Sequence, residues 1–244
     1  MASGPTIVLV HGAFSDASSW WPVTLRLLGE GYDVLAPPVT NQSLYDDAAY
    51  LRAYLAQIDG PVLLVGNGYG GAVITIAGTA DNVVGLVYVC GYALEVGEAV
   101  VDLHNSFSSP AVYPHLVCGV FPGQAGREMR EISVQVDQFR EYVAAGLPED
   151  ETQVLAVSQR PVAESALREP ATATAWRTKP TWGIVTGADK TINPALQRYA
   201  YSRAAARAVV EIDAPYLVMQ THPAEVVRVI TDAIADLSVG LPLS

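Results

Sequence analysis

The sequence predicts an α/β fold with a mainly parallel, doubly wound sheet, and three observations carry that expectation. Short runs that are apolar throughout, such as Thr6 to Val10 and Pro61 to Gly66, are separated by segments with apolar residues at helical spacing. Strands buried on both faces read as unbroken apolar runs, whereas strands with one wet face alternate. This succession of strand and helix holds at both ends of the chain and lapses between about Glu95 and Thr178.

Taken in order, Thr6 to Val10 is a strand that ends in the turn His11-Gly12-Ala13. Asp16 is placed to cap a helix from about Ala17 to Leu28, closed by Gly29 and Gly31. A strand from Tyr32 to Ala36 is halted by Pro37-Pro38. Ser43 then caps a helix through Ile58, with Leu44, Ala48, Leu51 and Leu55 on one face. Pro61 to Gly66 is the third strand, followed at once by a helix from Gly70 to Ala77, and Val83 to Val89 is the fourth. Residues 95–178 carry loop signals and two expected helical stretches, Glu128 to Ala144 and Asp150 to Gln159, so this part is expected to be an inserted helical lid. Residues 1–94 and 179–244 would form the core. Alternation resumes with strand Thr181 to Thr186, helix Pro194 to Ala205, strand Ala208 to Ile212 and a final helix Pro223 to Leu237.

Composition narrows the functions. Of the 244 residues, 50% are hydrophobic and 16% charged, against about a quarter charged in an average protein. That balance favours a large core with an apolar pocket or a homodimer surface. The net charge of −11 repels phosphate backbones and anionic lipid, so neither nucleic acid nor membrane is expected as a partner. Met1 to Val10 lacks the basic flank of a signal peptide, and two cysteines, Cys90 and Cys118, make no disulfide framework. A cytoplasmic location is expected. No His/Cys/Asp cluster has metal-ligand spacing, and no cofactor is expected.

Ligands of parallel α/β sheets sit at the carboxyl ends of the strands. There, Gly66-Asn67-Gly68-Tyr69-Gly70-Gly71 matches the nucleophile elbow G-x-S-x-G, with Gly68 in the serine position. The same residues spell G-x-G-x-x-G. A dinucleotide loop would follow the first strand, however, with an acidic residue placed for the ribose, and this segment meets neither condition.

The segments IVLVHGAFSDASSW, LLVGNGYGGAVIT, LVYVCGYALEVGE, QRPVAESAL and TWGIVTGADKTINP, in that order, resemble a small actinobacterial-type α/β-hydrolase related to plant hydroxynitrile lyases and methyl-ester esterases. The resemblance implies an α/β-hydrolase fold with a triad in the order Ser, Asp, His. It puts the acid at Asp189 and the histidine position at Tyr216, so that two of three triad members are replaced. It also implies oxyanion donors at the N–H groups of Ala13 and Tyr69, with Phe14 beside them at the substrate. Two unlike replacements, Gly68 and Tyr216, point to natural divergence over a single inactivating change.

Two roles are open for Tyr216: a hydrogen-bond donor oriented by Asp189, or a side chain that fills the pocket wall. Gly68 is expected to vacate the volume of a hydroxymethyl group, letting a substrate sit deeper. Among other residues, His11 reads as part of the oxyanion turn, His222 as a helix-start histidine and Cys90 as a small buried hydrophobe. His104 and His115 fall in the lid with no spacing that assigns them a role.

These readings lead to a non-hydrolytic, cofactor-independent enzyme, a cyclase, lyase or isomerase of a small, largely apolar carbonyl compound. By analogy with the fold, natural-product biosynthesis is a setting for such chemistry. Two alternatives stay open: a small-molecule binding protein or receptor, and a carboxylic-ester hydrolase in an inactive variant.

Overall fold

The computed structural model describes residues 4–122 and 128–239. Strands β1 (Thr6–Val10), β2 (Val34–Leu35), β3 (Val62–Asn67) and β4 (Val83–Val89) come first, joined by helices α1 (Trp21–Gly29), α2 (Leu44–Leu55) and α3 (Tyr69–Ala77). The inserted segment carries α4 (Val100–Asn105), β5 (Leu116–Pro122), β6 (Glu128–Val134), α5 (Phe139–Tyr142), α6 (Glu149–Val157), β7 (Val162–Ala163) and α7 (Glu164–Arg168). Then follow β8 (Thr181–Thr186), α8 (Pro194–Arg203), β9 (Ala208–Ile212), α9 (Val218–Thr221) and α10 (Pro223–Val239). Among the described residues, no helix is long and apolar enough to cross a membrane.

The core sheet is parallel throughout, in the order β2-β1-β3-β4-β8-β9. Its inner strands β3 and β8 are buried along their whole length, as their unbroken apolar runs require. The outer strand β9 is largely exposed. After β1 the chain builds outward to β2, then returns to place β3 on the other side. The order therefore reverses between β1 and β3, and the loops leaving these two strands open a crevice between them. The turn after β1 and the elbow after β3 meet there.

Helix boundaries follow local chemistry. Asp16 accepts from Ser18 N, but the turn it caps is a 3-10 helix, Ala17–Trp20, before α1 begins with Pro22 in its first turn. The Ser43 hydroxyl accepts from Asp46 N at the start of α2, whose buried face is Leu44, Ala48, Leu51 and Leu55. This helix stops at Leu55, three residues short of the expected end, because Gln57 and Ile58 bond back in 3-10 fashion before Gly60 turns at φ 88°. Strand β2 is only two residues long and pairs with β1 alone.

The insert departs from the expected all-helical lid. Residues Glu128–Val134 form strand β6, not the first half of a helix, and pair antiparallel with β5 from Leu116↔Val134 to Pro122↔Glu128. Strand β7 adds to the other edge of β6. Glu128, Met129, Arg130 and Glu131 are good helix formers, which misleads a local reading. The β-branched Ile132 and Val134, and the partner run Leu116, Val117, Val120 and Phe121, decide for sheet through cross-strand pairing. The expected helix survives only as the short α5, and α6 replaces the expected Asp150 to Gln159 helix with an earlier start and end.

Leu51 is fully buried at the centre of the inner face of α2. Its replacement by alanine is expected to cost about 2–5 kcal/mol in urea unfolding, with an unchanged denaturant slope.

Candidate active site

Gly68 links β3 to α3 with φ 49° and ψ −118°, a backbone strained for any residue with a side chain. The expected void over it does not exist. A Cβ on Gly68 would collide with the Tyr216 hydroxyl and lie 2.8 Å and 2.9 Å from Cε2 and Cζ of the same ring. A Cβ on Gly12 would also meet that hydroxyl, and would lie 2.7 Å from Asn67 Oδ1. The buried phenol of Tyr216 is thus wedged between two glycines from different loops. Its hydroxyl donates to Ala13 O at 3.2 Å. Gly70, at the start of α3, has the same need for closeness: its Cβ would sit 2.6 Å from His11 O.

Two peptide planes in this crevice are held by their carbonyls. Gly12 O accepts from His11 Nδ1 at 3.0 Å, Asn41 Nδ2 at 3.3 Å and the Ser15 hydroxyl at 3.4 Å. Gly68 O accepts from Gly71 N at 3.0 Å and Tyr92 N at 3.2 Å. A trans peptide is planar, so fixing each carbonyl fixes the opposite N–H, which belongs to Ala13 in the first plane and Tyr69 in the second. Among the described residues neither N–H has a protein acceptor. Both residues line the same cavity.

His11 acts within the scaffold. Its Nε2 accepts from Val39 N at 3.2 Å, so its proton resides on Nδ1 and goes to Gly12 O. Burial lowers its pKa, which keeps the ring in this neutral form. Tyr69 is fixed from behind: its hydroxyl donates to the buried Asp47 at 2.9 Å, which also accepts from Thr40 N, the Thr40 hydroxyl and Asn41 N. Phe14, at φ 62°, donates its N–H to Arg160 O of the insert.

Asp189 lies just beyond β8, but it does not orient Tyr216. One carboxylate oxygen accepts from Thr191 N at 2.7 Å and Ile192 N at 2.9 Å; the other accepts from the Thr186 hydroxyl at 2.8 Å and Gln197 Nε2 at 3.1 Å. With these four bonds the carboxylate organises its own loop. Burial pushes its pKa up to about 6 against the pull of those donors. Tyr216, whose pKa burial also raises, is hydrogen-bonded to Ala13 O instead. Of the two roles open for Tyr216, donation oriented by Asp189 has no hydrogen bond behind it, because each group is engaged elsewhere.

The crevice opens into a cavity of about 350 Å³. Phe14, Val100, Val112 and Leu167 line it, and each strand of the insert's small sheet adds one apolar residue: Leu116, Ile132 and Val162. The lid wall is therefore partly a sheet. Polar residues on the wall are Tyr69, Tyr92, His104, Asn105, Tyr113, Thr191 and Tyr216, together with the ion-paired Glu164 and Arg168.

Of the histidines, His104 alone lines this cavity, on α4, where its Nε2 is hydrogen-bonded to the Tyr92 hydroxyl. Burial lowers its pKa to about 4. His115 stacks on Tyr142 with centroids 4.3 Å apart, and His222 bonds the Thr221 hydroxyl. Cys90 is buried, its thiol pushed up by burial, and it accepts from Asn67 Nδ2. Sequence reasoning passed over Tyr92. Its position two residues past Cys90, at the carboxyl end of β4, was the available signal. No group of three or more His, Cys, Asp or Glu side chains among the described residues is arranged to hold a metal.

Gly68→Ser alone is expected to destabilise the fold by about 1–3 kcal/mol, since the new side chain overlaps the Tyr216 ring. Gly68→Ser combined with Tyr216→His should recover most of that loss in the same urea titration. A second expectation concerns pH. A histidine whose folded-state pKa lies near 4, below its ordinary 6.5, resists protonation in the fold, so its contribution is present above pH 6.5 and is lost as pH falls toward 4. His104→Gln should accordingly gain stability relative to the unaltered chain across that descent. Asp189 has the opposite sign, favouring the fold on the acid side of its raised pKa, and Asp189→Asn should show the reverse trend.

Solved structures of similar fold include polyneuridine aldehyde esterase, with TM-score 0.83 and 16% identity over 95% of this chain and 99% of that one. Tomato methylketone synthase I complexed with 2-tridecanone matches with TM-score 0.79 and 16% identity over 97% and 100%. A pyrethroid hydrolase from Sphingobium faniae JZ-2 matches with TM-score 0.73 and 20% identity over 95% and 97%. At such identities the likeness is one of fold. A search of the curated proteins found no match. Residues 7–229 match the Alpha/beta hydrolase family (Abhydrolase_6), and the chain belongs to that family.

Proposed function

We propose that this protein is a non-hydrolytic, cofactor-independent enzyme that activates a small, largely apolar carbonyl compound for lyase, cyclase or isomerase chemistry. One observation carries the reading: the phenol of Tyr216 occupies the space where a side-chain nucleophile on the elbow would stand. Acyl transfer needs that nucleophile together with a positioned base. Gly68 offers no attacking atom, and Asp189 is turned into its own loop with no histidine to orient. Ala13 and Tyr69, whose N–H groups have no protein acceptor among the described residues, line a mostly apolar cavity and would serve as the donor pair. Backbone donors of this kind stabilise a developing oxyanion, and removing one costs about 3 kcal/mol of barrier in enzymes that rely on it. An enolate has its charge on oxygen and needs no nucleophile from the protein.

A methylketone synthase among the proteins of similar fold is compatible with this class of chemistry, and a step in natural-product assembly fits it too. The esterases and hydrolases among those neighbours favour the alternative of ester cleavage, which the filled elbow opposes.

Two measurements test the proposal. A fluorophosphonate probe is expected to leave the unaltered chain unmodified, and p-nitrophenyl esters should turn over at background rates. Incubation with a panel of apolar β-keto acids and unsaturated ketones, followed by mass spectrometry, should reveal a product that is isomeric with its substrate or has lost a small fragment. Products that have gained water, or a covalent adduct on a cavity residue, would overturn the reading. Ligands that bind and are recovered unchanged would favour a receptor.

A further inference from the structure

The cavity wall holds a hydrogen-bonded tyrosine–histidine pair that the triad pattern does not anticipate. Most titratable side chains on its wall are committed elsewhere: Tyr69 donates to Asp47, Tyr216 to Ala13 O, and Glu164 is paired with Arg168 at 2.7 Å. Asp189 is spent on its own loop. Tyr92 and His104 are committed only to each other, through Tyr92 Oη and His104 Nε2. They come from different elements, Tyr92 from the loop after β4 and His104 from α4 of the insert. The Tyr113 ring, 5.9 Å from that of His104, completes the aromatic wall around them.

We propose that Tyr92 and His104 transfer the proton of a carbon acid, the substrate being an apolar ketone with acidic hydrogens beside its carbonyl. This rests on the enolate reading given above and supplies the base that reading lacks. Both groups are neutral at rest: burial drives His104 down to about 4 and pushes Tyr92 up. His104 Nδ1 is buried without a partner, so no carboxylate stands behind the ring as in a triad. With the phenol as donor, Nε2 is the acceptor. The substrate's C–H bond breaks as its proton passes to the Tyr92 oxygen, while the Tyr92 proton passes to His104 Nε2. The electron pair of the C–H bond becomes the enolate, whose oxygen takes the N–H groups of Ala13 and Tyr69. Reversal of the relay returns a proton to carbon, either at the same atom or at another position of the delocalised system. No oxidant or co-reactant enters. Burial of the pair keeps water from competing for the proton.

Exchange of the hydrogens beside the carbonyl of 2-nonanone in D₂O, followed by proton NMR, tests the relay directly. The unaltered protein should accelerate exchange above buffer. Tyr92→Phe and His104→Gln should each lower that acceleration by about 10²-fold, within the range general acid–base catalysis supplies. The double variant should lose no more than either single one, because the two act as a unit. Acceleration that survives both substitutions would overturn the pair and leave the enolate reading standing. No acceleration by the unaltered protein would overturn both. A readout independent of turnover uses ¹⁵N shifts of the His104 ring, expected to show a neutral imidazole at pH 6 that changes tautomer balance in Tyr92→Phe. A ring whose ¹⁵N shifts do not respond to Tyr92→Phe would likewise overturn the assignment.

Discussion

A single aromatic ring set between two glycines governs this molecule's site. Tyr216 reaches from the loop after β9 to touch the turn after β1 and the elbow after β3, and its hydroxyl fastens the carbonyl of Ala13. Gly12 and Gly68 are the space that this ring requires, so the three residues make one steric unit and not separate losses. Packing at interior density leaves no room for a side chain on either glycine without moving the ring. The same wedge packs the floor of the crevice beside Ala13.

Electrostatically the cavity is quiet. The chain as a whole is strongly acidic, yet the polar residues lining the cavity are tyrosines, one neutral imidazole, Asn105 and Thr191, apart from a self-compensated Glu164–Arg168 pair. Buried carboxylates exist nearby, but Asp47 and Asp189 are each enclosed by four donors and serve loops. Such an arrangement suits a ligand without charge and a reaction whose transient negative charge arises on oxygen. Burial of neutral donors costs less than burial of ions, and they need not rearrange when that charge appears.

The core was legible because its determinants are local. Unbroken apolar runs marked β1, β3, β4 and β8, and the glycine-rich elbow marked the point where chain direction changes. The insert was less legible since its small sheet depends on pairing between β5 and β6, and nothing in Glu128-Met129-Arg130-Glu131 alone announces a strand. Site chemistry divides in the same way. Glycine at the central position of the elbow pattern could be read from one letter, whereas the occupation of the space over Gly68 by Tyr216 joins residues 148 positions apart and needs three dimensions. The Tyr92–His104 contact joins residues only 12 apart, but its partners sit on a core loop and an insert helix whose orientation no periodicity encodes.

The hydrogen bond from Phe14 N to Arg160 O has a mechanical meaning. Arg160 leads into β7, one strand of the cavity wall, and Phe14 follows the residue that presents the first donor. The peptide joining Ala13 to Phe14 is gripped at both ends, by the tyrosine on its oxygen and by the wall on its nitrogen. Any displacement of that wall would therefore pull on the loop that carries Ala13, the residue proposed to meet a ligand's oxygen.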